Sequence, residues 1–74
     1  MKTRSDITGM FYEDEEAVFF RNPLQSAFYI FHGATLVDIF VDDKLRFVWV
    51  FYKNDHEKLK MLWKNANVNR DTEE

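Results

Sequence analysis

Two adjacent stretches of the 74-residue chain, residues 35–42 and 44–53, are rich enough in β-branched and aromatic residues to predict two β-strands. The connection around Asp42-Asp43-Lys44 is too short for anything but a hairpin turn. A two- or three-residue turn is expected to place even-numbered residues of the first strand on the same face as odd-numbered residues of the second. Both faces of the hairpin are then apolar, whereas a sheet with one solvated face alternates apolar and polar residues.

The two predicted faces differ in the kind of apolar side chain they carry. The aliphatic face comprises Val37, Ile39, Val41, Val48 and Val50, and the aromatic face comprises Leu36, Phe40, Leu45, Phe47, Trp49 and Phe51. Asp38 interrupts the aromatic face. A carboxylate among aromatic rings is costly when it is buried alone, so we expect Asp38 near an edge or beside a Lys or Arg.

A helix is predicted over residues 23–32. Asn22 is a suitable N-cap, Pro23 fits the first helical position, and Gly33 suits the left-handed residue that follows a helix. The apolar stripe that should face the sheet has helical spacing and consists of Leu24, Ala27, Phe28 and Phe31.

A second helix is predicted over residues 54–66. Asn54-Asp55-His56-Glu57 forms a capping box. Its apolar stripe consists of Leu59, Leu62, Trp63 and Ala66. Residues 67–74 are polar and predict a flexible tail.

The N-terminal residues 1–16 are expected to form a strand or an arm. Two short strands around the acidic run Glu13–Glu16 would fit, as would one strand with a disordered lead. At least Val18–Phe20 is expected to be extended and paired with the central hairpin.

These elements predict a single α+β domain over residues 1–74, in the order (β)-α-β-β-α, with a small antiparallel sheet built on the hairpin and both helices on one face. We expect the helices to cover the aliphatic face. The aromatic face then needs another cover, which is the N-terminal segment, another protein surface (most simply a second copy of the chain in a homodimer), or a ligand or nucleic acid. The candidate interface residues are Phe40, Leu45, Phe47, Trp49 and Phe51.

No pattern in the sequence predicts catalysis, a cofactor or a metal site. The chain has no Cys, and neither Ser5 nor Ser26 lies in the context of an activated nucleophile. His32 and His56 are interpreted as helix-end residues, and their spacing does not predict a metal site. The acidic run Glu13–Glu16 is interpreted as a solvated turn, and its role stays open.

The chain is therefore expected to be a non-enzymatic interaction module, acting as a homodimer or on a host protein. The alternative is a small nucleic-acid-associated regulator that stacks bases on sheet aromatics and contacts phosphates through Lys58, Lys60 and Lys64. The net charge of −3 argues against it. With neither a signal peptide nor an apolar run long enough to cross a bilayer, a cytoplasmic location without membrane contact is expected.

Two segments carry a resemblance to known proteins: Leu24-Gln25-Ser26-Ala27-Phe28-Tyr29-Ile30-Phe31-His32-Gly33 and Phe47-Val48-Trp49-Val50-Phe51. With the order helix, Gly, strand, turn, strand, helix, they resemble a family of short uncharacterised domains found in small phage and bacterial mobile-element proteins. The resemblance covers roughly residues 20–66. It implies a phage or mobile-element origin and carries no catalytic residue over to this chain.

Overall fold

The computed structural model describes residues 2–73 of the chain, with side chains described for residues 2–66. The N-terminal strands are β1 (Lys2–Arg4) and β2 (Phe11–Glu13), and a 3-10 turn (Asp14–Glu16) leads into β3 (Ala17–Phe20). The rest of the fold is α1 (Pro23–Phe31), β4 (Leu36–Val41), β5 (Phe47–Tyr52) and α2 (Lys53–Glu73). The predicted α+β class and element order are confirmed. The expected flexible tail at 67–74 lies outside the residues whose side chains are described.

The strands form two antiparallel sheets. A three-stranded sheet has the order β3-β5-β4, and β1 and β2 form a separate N-terminal hairpin. β3 pairs with β5 from Ala17 opposite Tyr52 to Phe20 opposite Trp49. The expectation that Val18–Phe20 is extended and paired with the central hairpin is therefore confirmed.

The register predicted for the central hairpin is wrong. Val41 lies opposite Phe47, and Phe40 lies opposite Val48, so residues of the same parity share a face. The reason is that a three-residue loop, unlike a two-residue loop, pairs residues of the same parity: Asp42 N–H donates to the Arg46 carbonyl, which leaves three residues in the loop. Leu45 takes the left-handed conformation with φ 61°, which is the usual last position of a three-residue hairpin loop.

A bulge at Val37 shifts the register once more, between Leu36 and Asp38. One face of the sheet, the helix-covered face, consists of Val18, Phe20, Leu36, Ile39, Val41, Phe47, Trp49 and Phe51. The opposite face, the hairpin-covered face, consists of Ala17, Phe19, Val37, Asp38, Phe40, Val48, Val50 and Tyr52. The aromatic and aliphatic side chains are thus redistributed between the two faces.

Both helices pack on one face of the sheet, as predicted, but on the face that carries Trp49 and Phe51. Tyr29, Ala34 and Phe51 are buried there, with side chains of both helices and of all three strands packed around them. The expectation that the helices cover the aliphatic residues is wrong. Aromatic rings from α1, β3 and β5 interlock instead, because edge-to-face contacts such as Phe20 with Tyr29 favour this arrangement.

The N-terminal hairpin covers the other face of the sheet. Tyr12 packs against Ala17, Val37 and Val50 in a second apolar cluster, with Met10 and Tyr52 at its margin. The N-terminal segment thus covers a face of the sheet, which is one of the expected alternatives. The residues that it covers, however, are mainly aliphatic.

The helix boundaries follow the predicted signals only in part. The Asn22 side chain accepts hydrogen bonds from the N–H groups of Leu24 and Gln25, which confirms the N-cap of α1. Gly33 has φ 94°, which allows the chain to leave the helix toward β4. α2 begins at Lys53, directly after β5, so Asn54 lies inside the first turn and the predicted capping box is wrong.

Candidate interaction surfaces

The structure does not bring the five predicted interface residues together on one surface. Phe51 is fully buried and Trp49 is half-buried beneath the helices. Phe40 lies on the opposite face of the sheet from Phe47. Leu45 lies in the hairpin loop. The continuous aromatic surface expected from the sequence is therefore not present, because the register and the helices divide its members.

The largest departure from the predicted pattern is the outer side of α1. Leu24 is 58% exposed and Phe31 is 85% exposed, although both were expected to face the sheet. We call the exposed apolar residues of this helix, Leu24, Ala27, Ile30 and Phe31, the α1 stripe. An amphipathic helix on a globular domain normally turns such a stripe inward.

The rotation of α1 is explained by the two residues that it buries, Ser26 and Tyr29. The Ser26 hydroxyl donates to the Asn22 carbonyl at 3.0 Å, which satisfies a buried polar group and lets the helix approach the sheet. The Tyr29 ring lies 5.1 Å from the Phe20 ring and 5.7 Å from the Phe51 ring. Tyr29 therefore fills the core position that Leu24 and Phe31 would otherwise occupy.

The Tyr29 hydroxyl has a polar partner at the edge of this core. It lies 2.8 Å from Nδ1 of His56 in the first turns of α2. Burial raises the pKa of the Tyr29 hydroxyl above its usual value. His56 therefore gives the Tyr29 hydroxyl a hydrogen-bond partner, and the contact links the two helices.

A second exposed apolar surface lies at the loop end of the hairpin. Val41 is 50% exposed, Phe47 is 57% exposed and Leu45 is 86% exposed. We call these three residues, together with half-exposed Phe40, the hairpin-end surface. Phe40 contacts the ring of Phe19 at 6.5 Å, so apolar side chains stand on both faces of this end of the sheet.

Asp42 organises the loop beside the hairpin-end surface. Its Oδ1 accepts from the N–H groups of Lys44 and Arg46, and its Oδ2 accepts from the side chains of Arg21 and Arg46. The Arg46 backbone N–H, together with the other donors, lowers the pKa of Asp42 to about 2. Two arginines thus surround a single carboxylate, and the local charge is positive.

The polar cluster of Ser5, Tyr12 and Asp38 is the only place where a serine lies beside an acid in the part of the chain that the structure describes. Ser5 Oγ donates to Asp38 Oδ1 at 2.6 Å, and the Tyr12 hydroxyl donates to Asp38 Oδ2 at 2.9 Å. Asp38 lies on the edge strand β4, which confirms the first of the two expectations for it, and its partners are hydroxyl groups rather than a Lys or Arg. Hydroxyl groups replace the cation because the N-terminal hairpin delivers them to the edge strand β4.

This cluster is suited to holding the fold rather than to chemistry. Ser5 is fully buried and its oxygen also accepts from the N–H groups of Ile7 and Thr8. Its hydroxyl proton points to a carboxylate, and no histidine takes part in the cluster. Burial, together with Asp38, raises the pKa of Tyr12 to about 12. The cluster fixes the N-terminal hairpin to the sheet.

No group of three metal-ligating side chains occurs among the residues that the structure describes. Two open clefts flank the start of α2. One, of about 230 Å³, is lined by Glu15, Glu16, Tyr52, Lys53 and Asn54. The other, of about 140 Å³, is lined by His32, Gly33, Ala34, Asp55, Lys58 and Leu59. The Asp55 carboxylate in the second cleft already accepts from the Thr35 N–H.

The parts of the alternative nucleic-acid site lie on different surfaces. Lys58, Lys60 and Lys64 are exposed on α2, and Lys60 forms an ion pair with Glu57 at 2.7 Å. Two of the sheet rings that would stack bases, those of Trp49 and Phe51, lie beneath α1 and α2. Base stacking requires an open ring face, so this arrangement does not favour the alternative.

Sequence reasoning missed the α1 stripe because it ranked the positions of α1 by hydrophobicity alone. The available signal was Tyr29, whose large ring and hydroxyl can fill a core only beside a polar partner such as His56. Ser26, one turn before Ile30, was a further indication that a small residue faces the sheet.

Neither helix, over the residues that the structure describes, is long and apolar enough to cross a bilayer. No protein family matches this chain, and no curated protein or solved structure matches it either. The resemblance to phage and mobile-element domains therefore stays a prediction.

Proposed function

We propose that this protein is a non-enzymatic interaction module that docks the α1 stripe into an apolar groove of another protein. The single observation that carries the proposal is the inversion of α1, in which Ser26 is 1% exposed while Phe31 is 85% exposed. A helix that buries Ser26 and Tyr29 and turns Phe31 outward leaves apolar area that a second surface would remove from water.

The spacing of the stripe suits a helix-in-groove partner. Leu24, Ala27 and Phe31 occupy positions i, i+3 and i+7, which are the anchor positions of this mode of recognition. The described helix, Pro23–Phe31, contains no charged residue, so no charge has to be desolvated on docking. Burial of Leu24 and of Phe31 would each contribute about 1.5–3 kcal/mol before the entropy cost of association.

The setting of the proposal comes from the resemblance described above. It implies an accessory factor, encoded by a phage or mobile element, that acts on a host protein in the cytoplasm. The absence of cysteine from the sequence fits a reducing compartment. A second copy of the chain is the other occupant to consider for the α1 stripe, and the experiment below separates the two.

The test is site-specific photo-crosslinking in the cells that express the protein. A photo-reactive phenylalanine analogue is placed in turn at Leu24, Ala27 and Phe31, and at His32, the residue that follows α1. Ile7, which is 68% exposed on the N-terminal hairpin, is the matched control for simple exposure. We expect one adduct of defined mass from positions 24, 27 and 31, and little from positions 32 and 7.

The pattern of yields decides the result. Two results together would support docking of the stripe. The adduct yields should follow helical periodicity along α1, and the adduct from the probe at position 24 should be lost when Phe31→Ser is introduced. Equal yields from Ile7 and Phe31 would overturn the proposal. An adduct of twice the chain mass would identify a second copy as the occupant and would overturn the assignment to a different protein.

A further inference from the structure

β4 is an edge strand with part of its backbone unpaired. β5 lies on one side of β4, and no strand pairs with its other side in the described residues 2–73. The Asp42 N–H donates to the Arg46 carbonyl, so the backbone N–H of Asp42 points toward the other strand of the hairpin. Because this direction alternates from residue to residue along an antiparallel strand, the backbone groups of Ile39 and Val41 point away from β5. These two residues therefore present hydrogen-bonding groups at the open edge.

The first half of this edge is already blocked. The Thr8 hydroxyl donates to the Val37 carbonyl, and Asp38 Oδ1 accepts from the Ile39 N–H at 2.8 Å. The Ile39 carbonyl and both backbone groups of Val41 are left without a partner among the described residues. Unpaired groups of this kind are a template for another strand.

The other edge of the sheet offers less. β3 has only four residues, and the backbone groups of Ala17 and Phe19 point away from β5. The Ala17 N–H already donates to the Asp14 carbonyl across the 3-10 turn. Only Phe19 of β3 then has both backbone groups turned outward and unpaired. A strand that adds to this sheet therefore finds its longer template on β4.

Apolar side chains flank the open part of β4 on both faces. Phe40 is 39% exposed on the hairpin-covered face, and Val41 and Phe47 are exposed on the other. An added strand would lie directly beside Phe40 and Val41 and would bury both while pairing its backbone. The hydrogen-bonding groups and the apolar side chains thus favour the same kind of occupant, an extended apolar segment.

We propose that this occupant is β4 of a second copy, paired antiparallel about a two-fold axis at Phe40. In this register each unpaired Val41 N–H donates to the unpaired Ile39 carbonyl of the other copy, and the two Phe40 rings meet. The two hydrogen bonds of this register use only backbone groups that lack a partner among the described residues, while the Val41 carbonyl faces the Ile39 N–H that already donates to Asp38. It is a surface separate from the α1 stripe and does not depend on it.

The charges of β4 fit this pairing. Asp38 of one copy lies opposite Asp42 of the other, and like charges in that position would normally repel. Here the Asp38 carboxylate is buried and held by the Ser5 and Tyr12 hydroxyls, and Arg21 and Arg46 donate to Asp42 at 3.0 Å and 3.2 Å, so each carboxylate is compensated within its own chain. The contact involves only a short stretch of strand, which predicts a weak dimer in the micromolar to millimolar range.

The first measurement is amide hydrogen exchange of the wild-type protein over a range of concentrations. In a single chain the Val41 N–H has no acceptor, so it should exchange rapidly in dilute solution. We expect its exchange to slow as dimer forms, in parallel with the dimer fraction from sedimentation equilibrium. A dimer in which the Val41 amide stays unprotected, or a chain that is monomeric at millimolar concentration, would overturn the inference.

The variant that isolates the backbone is Val41→Pro, with Val41→Thr as its matched control. Proline removes an N–H that the internal ladder does not use, as edge strands tolerate, whereas threonine keeps the N–H. We expect at least a tenfold weaker dimer for Val41→Pro and near wild-type association for Val41→Thr. Equal association of the two variants would contradict strand pairing.

The outcome is independent of the α1 stripe. Leu24→Ser and Phe31→Ser should leave the dimer unchanged, and Val41→Pro should leave the crosslinks from α1 unchanged. If Val41→Pro does not fold, the exchange measurement on the wild-type chain decides alone. Failure of one proposal therefore does not imply failure of the other.

Discussion

The Tyr29 hydroxyl lies 2.8 Å from Nδ1 of His56, and this contact joins the two helices at the edge of the core. The two rings are also stacked, with centroids 5.8 Å apart. The contact holds α1 in the rotation that buries the Tyr29 ring and leaves its hydroxyl at the edge of the core. The exposure of the α1 stripe is thus a consequence of a polar contact on the opposite side of the helix.

Tyr29→Phe should destabilise the fold by about 0.5–1.5 kcal/mol, since it removes one hydrogen bond and keeps the ring. Tyr29→Ala should cost about 3–5 kcal/mol, because it leaves a cavity among Phe20, Phe28 and Phe51. Urea unfolding followed by circular dichroism measures both. If Tyr29→Ala were no worse than Tyr29→Phe, the ring would not be in the core.

The two phenylalanines Phe31 and Phe51 should respond in opposite ways. Phe31→Ser removes an exposed ring, so the free energy of unfolding should change by no more than about 0.5 kcal/mol. Phe51→Ala removes a fully buried ring and should cost about 3–5 kcal/mol. Thermal unfolding of the two variants at one low protein concentration separates them. A large loss for Phe31→Ser in a monomer would show that α1 faces the sheet as its periodicity predicts.

Asp38→Ala should loosen the N-terminal hairpin. The change leaves the hydroxyls of Ser5 and Tyr12 without their acceptor, and each lost hydrogen bond to the carboxylate costs about 1.5–3 kcal/mol. Part of this cost is offset because the change also removes a buried charge. Hydrogen exchange of the Ser5 amide, which bonds to Met10 within the hairpin, should accelerate more than that of β5. Asp43→Ala, an exposed acid in the next loop, is the control. Uniform acceleration through both sheets would instead indicate global destabilisation.

The sequence predicted the elements of this fold better than their orientation. Asn22 and Gly33 act through the backbone beside them, so local rules were sufficient to place α1. Its rotation depends on Tyr29 meeting His56, 27 residues away, which no local rule describes. The predicted surface failed for a related reason: one residue of loop length at Leu45 changes which residues of β5 share a face with residues 38–41, and the bulge at Val37 leaves only Leu36 on its predicted face with Phe51.

The depressed pKa of Asp42 predicts a stability component that is lost in acid. Its carboxylate is stabilised in the folded chain, with a pKa of about 2 against an ordinary value of 3.8. The contribution is therefore fully present above the unfolded-state value and is lost as pH falls through about 2. We expect the melting temperature of Asp42→Asn to fall less than that of the wild type across this window. Parallel curves for the two proteins would show that Asp42 is not linked to folding, and a carboxyl titration by NMR checks the pKa directly.

Leu45 occupies the left-handed region with φ 61°, where a residue with a Cβ is strained by roughly 1–2 kcal/mol. Its side chain is 86% exposed, so replacing it sacrifices little packing within one chain. Leu45→Gly should therefore raise the free energy of unfolding by about 0.5–1 kcal/mol, because relief of strain exceeds the added entropy of the unfolded glycine. Lys44→Gly, at the neighbouring loop residue, which does not have positive φ, gains no such relief and should destabilise by about 0.5–1 kcal/mol. Chemical unfolding of the two variants gives the comparison, and a destabilised Leu45→Gly chain would mean that the exposed leucine makes contacts that offset its strain.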